Sequence, residues 1–138
     1  MDKKEIIEFI SKNPTCHMAT LEDGKPRVRG IGIYRADENG IIIQVSEVKD
    51  IYKQLAANPE TELCFANPKE GIQVRVRGRV ELVEDAEMKR EIVEQRKFLK
   101  PLVDRYGWGV IKLYNLKHGL AHVWTPKVNF EPKTFVQL

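Results

Sequence analysis

The sequence is poor in the residues that most often declare a chemistry. Only two of its 138 residues are cysteine, Cys16 and Cys64. Both fall in expected strands at no metal-ligand spacing, so they read as buried free thiols rather than a zinc site or a disulfide framework. The three histidines, His17, His118 and His122, show no ligand spacing either. No apolar run is long enough to span a bilayer, and no membrane partner is expected. The N-terminal MDKKEIIEFISKN places acids within its apolar pattern, unlike a secretory signal, which makes the cytoplasm the expected compartment. A strong charge of one sign is also missing: 23 basic residues stand against 20 acidic ones. That balance, and the lack of aromatics among the arginines of residues 73–81, argues against nucleic acid as a partner. There is no P-loop, dinucleotide fingerprint or nucleophile elbow. The acids Glu84, Asp85 and Glu87 read as a helix start rather than an acid/base pair. If the protein is an enzyme, its reactive group is borrowed from a cofactor.

What is present is one domain's worth of chain, 42% hydrophobic and 31% charged, so residues 1–138 are expected to form a single domain. Its organising stretch runs from Cys16 to Pro59. Turn signals at Glu22-Asp23-Gly24-Lys25 and Asp37-Glu38-Asn39-Gly40 cut it into three strands, about Thr15 to Leu21, Pro26 to Arg35 and Ile41 to Ser46. These are expected to pair as a meander. The middle strand carries Arg27 and Arg29 on one face and Gly30 and Gly32 on the other. Glycine weakens a strand, so two of them suggest close approach by another backbone or a flat ligand. Arginine beside such a surface suits a phosphate. Ser46 and Lys49 lie where a second helix begins, and helix N-termini attract anions. The combination suits a phosphorylated planar cofactor. An ordinary meander with a solvated basic edge gives the same pattern.

Elsewhere, Asp2 is placed to cap a first helix through about Lys12, ended by Asn13-Pro14. The second helix covers about Lys49 to Ala57, with Ile51, Tyr52, Leu55 and Ala56 inward. A fourth strand spans Glu62 to Ala66. The fifth gives the cleanest alternation in the chain, with Ile72, Val74, Val76, Gly78, Val80 and Leu82 opposite Gln73, Arg75, Arg77, Arg79 and Glu81. Its arginine face reads first as a solvated, salt-bridged surface and second as an interface. A third helix is expected over about Ala86 to Lys97, then a short irregular helix to Tyr106. Two more strands follow, Gly109 to Leu116 and Leu120 to Thr125, and an extended tail. About six to seven antiparallel strands with flanking helices predict an α+β, mainly β fold: a small barrel.

Taken in order, Ala19-Thr20, Gly24, Pro26, Arg29, Ser46, Lys49, Asn58-Pro59, and Gln73-Val74 with Val76 and Gly78 resemble the FMN-binding split β-barrel family of pyridoxamine 5′-phosphate oxidase-like proteins. The C-terminal Trp124-Thr125 and Glu131-Pro132-Lys133-Thr134 resemble its short bacterial members, which include flavin reductases and nitroimidazole-resistance-like proteins. The true oxidase differs. Tyr34 stands where it has a substrate-binding lysine, and its C-terminal arginine- and histidine-bearing motif has no match in Asn129 to Leu138.

The resemblance implies a split-barrel homodimer with FMN at the subunit interface. Arg29 would hold the phosphate, and Lys49 would add a second charge. The backbone of Arg29, Gly30, Ile31, Gly32 and Ile33 would lie along the flavin ring. Val45 and Ser46 would touch the ring and the ribityl or phosphate end, and Gln73 would reach the FMN held mainly by the partner. The implied activity is that of an FMN-dependent oxidoreductase acting on an unidentified small molecule, with NAD(P)H as a candidate electron donor. No catalytic side chain is assigned; Tyr34, His17 and bound water are the candidate proton donors. The alternatives are a flavin-binding protein without turnover, the same fold with a deazaflavin or haem, and a basic-faced nucleic-acid-binding module.

Overall fold

The first helix begins where its cap does. The Asp2 side chain accepts from the Glu5 amide at 2.8 Å, and the Glu5 carboxylate accepts from the Asp2 amide at 2.8 Å. This reciprocal box satisfies two otherwise orphaned donors and opens α1 (Lys3–Lys12), whose Ile6, Phe9 and Ile10 are buried. The computed structural model describes residues 1–138 throughout.

β1 (Thr15–Glu22) and β2 (Lys25–Gly32) form a hairpin around Asp23 and Gly24, at φ of 51° and 75°. Two positive φ values in a row are what a two-residue hairpin turn of the favoured twist requires. β2 does not continue into a three-stranded meander, as the sequence suggests. At Ile33 and Tyr34 the chain changes partners: Ile33 donates to the Pro14 carbonyl (3.0 Å) and Tyr34 to that of Ile42 (2.8 Å). It leaves one sheet and enters another as β3 (Arg35–Asp37), paired with β4 (Gly40–Ser46). The long fifth strand expected over Ile72 to Leu82 bends in the same way. β6 (Ile72–Arg79) ends at Val80, whose amide donates to the Pro59 carbonyl (3.0 Å), and β7 (Glu81–Val83) joins the other sheet. Both corner residues, Ile33 and Val80, are buried in the main core.

The remaining strands are β5 (Glu60–Asn67), β8 (Ile111–Leu116), β9 (Leu120–Trp124) and β10 (Val136–Gln137). One sheet has the order β10-β9-β6-β5-β1-β2 and the other β3-β4-β8-β7, with every pairing antiparallel. There are thus ten strands rather than six or seven, because two are each broken at a corner and the tail supplies one more. Hydrogen bonding does not close into a barrel; two sheets share two bent segments.

Between the sheets lies a core of 20 buried residues. β5 contributes Leu63 and Phe65, and β6 contributes Val74 and Val76. Full burial of such a side chain is worth about 1.5–3 kcal/mol. β4 and β8 are buried on both faces. Ile41, Ile43 and Val45 face the main core with Tyr114 and Leu116, while Ile111 and Leu113 turn outward to a second cluster. That cluster sits beneath α3 (Ala86–Gln95) and α4 (Lys100–Tyr106), which Ile92, Val93 and Leu99 anchor. Asp85 caps α3 by accepting from Met88 at 3.0 Å, and the helix ends before Lys97 because Arg96 leaves the helical conformation. α2 (Asp50–Ala57) buries Ile51 and Leu55 as expected, but Ala56 is exposed and Gln54 takes the inward place. No helix is long and apolar enough to cross a membrane.

Candidate functional site

β2 is the outermost strand of its sheet, so its far side is free of protein partners. Beside it opens a cavity of about 360 Å³. Arg29, Gly30, Ile31 and Gly32 of β2 line it, with Val45 and Ser46 of β4 and Lys49 at the start of α2. Seven of the nine residues singled out in the sequence therefore share one wall. The other two lie elsewhere. Ile33 turns its side chain into the core, and its carbonyl accepts from Arg96 at 2.9 Å. Gln73 is on β6, opposite Ala66 and Trp124, three strands away from β2, and does not line the cavity.

The glycines are not explained by the chain's own packing. A Cβ built at Gly30 or Gly32 meets nothing within 4 Å, and neither residue has a positive φ. Their bareness instead leaves backbone open to whatever lies beside the strand.

At the charged end, Arg29 is held firmly. Its Nη1 donates to the Thr20 hydroxyl at 2.8 Å and the Met18 carbonyl at 3.2 Å, and its Nη2 donates to Gln54 Oε1. Thr20 donates to the same Gln54 oxygen at 2.6 Å, and Gln54 Nε2 reaches Glu22 at 3.2 Å. Burial draws the Arg29 guanidinium below its usual pKa, and Asp50 pulls it back up. Arg27, on the same face, is instead exposed and paired with Glu22 at 3.3 Å.

Ser46 is 3% exposed, and its hydroxyl has no hydrogen-bond partner. Buried polar groups are almost always paired, so this orphan facing a cavity is chemically expectant. Lys49 is the N-cap of α2 and offers no side-chain cap; the Tyr52 amide donates to the Lys49 carbonyl at 3.2 Å, which leaves the amides of Asp50 and Ile51 available. A buried hydroxyl, a lysine, a fixed guanidinium and a helix start thus border one cavity, a donor set whose chemistry suits an anion.

The opposite wall was not anticipated. The segment after α3 supplies Arg96, Phe98, Leu99 and Leu102. Arg96 is tied to the Gly32 and Ile33 carbonyls (3.4 and 2.9 Å) and to Gln44 Oε1 (3.4 Å), so it clasps the end of β2. Phe98 is 71% exposed at the mouth. The candidate proton donors do not line the cavity. Tyr34 sits under Arg96, its hydroxyl pKa raised by burial and then by Glu91, and His17 is exposed on β1 opposite Gly30. The arginines of β6 are answered within the chain: Arg75 by Glu62 (3.6 Å), Arg79 by Glu60 (2.8 Å) and Arg77 by the Phe135 ring (4.4 Å).

Residues 2–107 match the pyridoxamine 5′-phosphate oxidase family. The chain belongs to that family. No curated protein matches it. Among solved structures, this oxidase-family chain is similar to a NimC/NimA family protein of Clostridium acetobutylicum, at 25% identity over 98% of this chain and 92% of that one, with a TM-score of 0.76. An FAD-binding protein of Mesorhizobium loti aligns at 16% identity over 91% and 96% of the two chains, TM-score 0.63. HutZ, the haem storage protein of Vibrio cholerae, aligns at 18% identity over 99% and 98%, TM-score 0.60. At these identities the last two speak for the fold alone. The fold family thus includes both flavin-binding and haem-storing proteins.

Proposed function

We propose that the cavity beside β2 binds FMN and that the protein is an FMN-dependent oxidoreductase acting on a small molecule. The observation that carries this is the unpartnered Ser46 hydroxyl, buried at the end of the cavity where Arg29, Lys49 and the α2 N-terminus meet. An FMN phosphate carries nearly two negative charges, and each of these groups opposes them. Arg29 is already oriented by Thr20 and Gln54, so little side-chain freedom is lost on binding. The bare Gly30 and Gly32 backbone and the apolar Leu99 and Leu102 offer a slot for a flat ring. When bound, FMN supplies the two-electron chemistry that the side chains lack. The chain's residues bind and orient it and keep water from one side. Gln73, remote from its own cavity, is assigned to the FMN of a second copy in a homodimer. NAD(P)H is proposed as the electron donor.

Two related readings separate on chemistry. A haem needs an axial ligand, and this cavity offers no His, Cys, Met or Tyr. A deazaflavin brings a similar phosphate, so the donor set suits it equally, and it is distinguished by mass. The test is an absorption spectrum of the untagged protein followed by mass identification of what denaturation releases. A flavin spectrum with FMN released, bleached by NADH or NADPH, supports the proposal. A protein that takes up neither FMN nor a deazaflavin refutes it. A flavin that no reductant of this kind bleaches leaves a binding protein without turnover.

A further inference from the structure

A second and larger cavity of about 590 Å³, sharing no lining residue with the one beside β2, opens between α3 and α4. It lies within the ordinary size range of small-molecule pockets, about 300–1,000 Å³. Its apolar residues are Val93, Val103 and Trp108; its charged ones are Arg90, Lys97, Lys100 and Glu94. The lining is therefore part apolar and part charged, with three cations against one acid.

The cations are not spent on the protein itself. Lys100 pairs with Asp104 at 3.0 Å, but Arg90 and Lys97 make no ion pair or side-chain hydrogen bond. Glu94 stands four residues after Arg90 on α3, a spacing at which helical pairs form, yet does not join it. Long basic side chains commonly lay their stems on apolar surface and hold their charge at its edge. Trp108 adds a second signal. It is 46% exposed, between Gly107 and Gly109, and also borders an adjoining cavity with Arg90. The indole and the unpaired cations border the same cavity, which sets an apolar surface beside positive charge.

We propose that this groove binds a small amphipathic carboxylate, its hydrocarbon body against Val93, Val103 and Trp108 and its carboxylate between Arg90 and Lys97. The site is separate from the cavity beside β2 and does not rest on the FMN reading.

The probe is octanoate, with octanamide as its neutral counterpart. The chain has two tryptophans, Trp108 and Trp124, so Trp124→Phe leaves Trp108 as the sole indole reporter. Titration with octanoate is expected to give a saturable blue shift of Trp108 emission. Octanamide should bind about tenfold more weakly, the worth of a charge-assisted contact. Reversing both cations (Arg90→Glu with Lys97→Glu) should abolish the preference for the carboxylate, and Lys53→Glu, on exposed α2 surface, should leave it intact. The charge reversals are surface changes, and far-ultraviolet circular dichroism checks that the fold is retained in these and in Trp124→Phe. A shift that never saturates, one equal for octanoate and octanamide, or one unchanged by the double reversal overturns the proposal.

Discussion

Arg29 and Gln54 are 25 residues apart in sequence and joined by a hydrogen bond from Nη2 to Oε1. The bond fastens the edge strand β2 to the inner face of α2, next to the cavity. It also shows why a glutamine occupies a helix position that the apolar pattern would fill with aliphatic carbon. Replacing Gln54 with Leu keeps the bulk and removes the acceptor. The Thr20 hydroxyl and the Arg29 guanidinium then lose a shared partner, at a cost of about 1–3 kcal/mol in stability. FMN affinity should fall about tenfold because Arg29 is no longer pre-positioned. Thermal melts and flavin-fluorescence titration measure the two effects. Unchanged affinity would show that the network serves the fold alone.

Two arginines make a sharper comparison. Arg79 pairs with Glu60 where both side chains are exposed, and such an ion pair is worth about 0–1 kcal/mol. Arg29→Ala should weaken FMN binding about ten- to a hundredfold, whereas Arg79→Ala should change it by less than about twofold. Equal losses in equilibrium dialysis would remove Arg29 from the phosphate role.

The orphan hydroxyl offers a test with opposite signs. In the empty protein, Ser46→Ala removes a buried unsatisfied group and should raise stability by up to about 1 kcal/mol. In the FMN-loaded protein the same change should remove a contact and loosen the cofactor severalfold. Melts with and without saturating FMN separate the two. A destabilised empty protein would mean that Ser46 already has a partner.

Much of this arrangement was legible in the chain because it rests on local signals. Asp2, Asp85 and the Asp23-Gly24 turn each act within a few residues, and the alternation of Ile72 to Val80 marks its buried face directly. The corners were not legible. The sequence at Ile33 or Val80 carries no turn signal; each strand bends there and changes which neighbour it bonds, a decision made by residues far away. Arg96 and Phe98 were missed for the same reason. They follow an ordinary amphipathic helix, and only its docking on β4 and β8 brings them over β2. Gln54 did carry a signal: it sits three residues after buried Ile51 and beside buried Leu55, where a polar side chain needs a partner.

The buried thiol should cost stability at alkaline pH. Burial, and then the neighbouring Cys64, push the Cys16 pKa from 9.0 to about 12. The unfolded chain therefore releases this proton first as pH rises, so the native state binds more protons between about pH 9 and 12. Stability is full below that window and falls through it, by up to about 1.4 kcal/mol per pH unit. Cys64, Tyr34 and Tyr114 are displaced in the same direction and add to the loss. Urea unfolding from pH 8 to 10.5 should show a shallower decline for Cys16→Ala than for the parent. Parallel slopes would mean that the thiol titrates normally in the fold.

The glycines of β2 give the cleanest separation of fold from function. At two other strand and turn positions a glycine is favoured by contact: a Cβ at Gly78 would lie 2.8 Å from Leu116, and one at Gly119 2.4 Å from Val76. At Gly30 and Gly32 it would meet nothing. Valine suits an extended strand, and glycine there costs about 0.5–1 kcal/mol relative to alanine. Gly30→Val and Gly32→Val should therefore hold or raise the melting temperature of the empty protein. Each adds a branched side chain to the strand that borders the cavity, on the face opposite Arg29. A flat ring lying along that bare backbone would be displaced, so each should lower FMN affinity by at least about tenfold, equivalent to ~1.4 kcal/mol. Stability without binding is the expected pair of readings. Binding that survives both substitutions would show that the flat ring lies against some other surface, and the reason for two glycines in an exposed strand would have to be sought outside the cofactor.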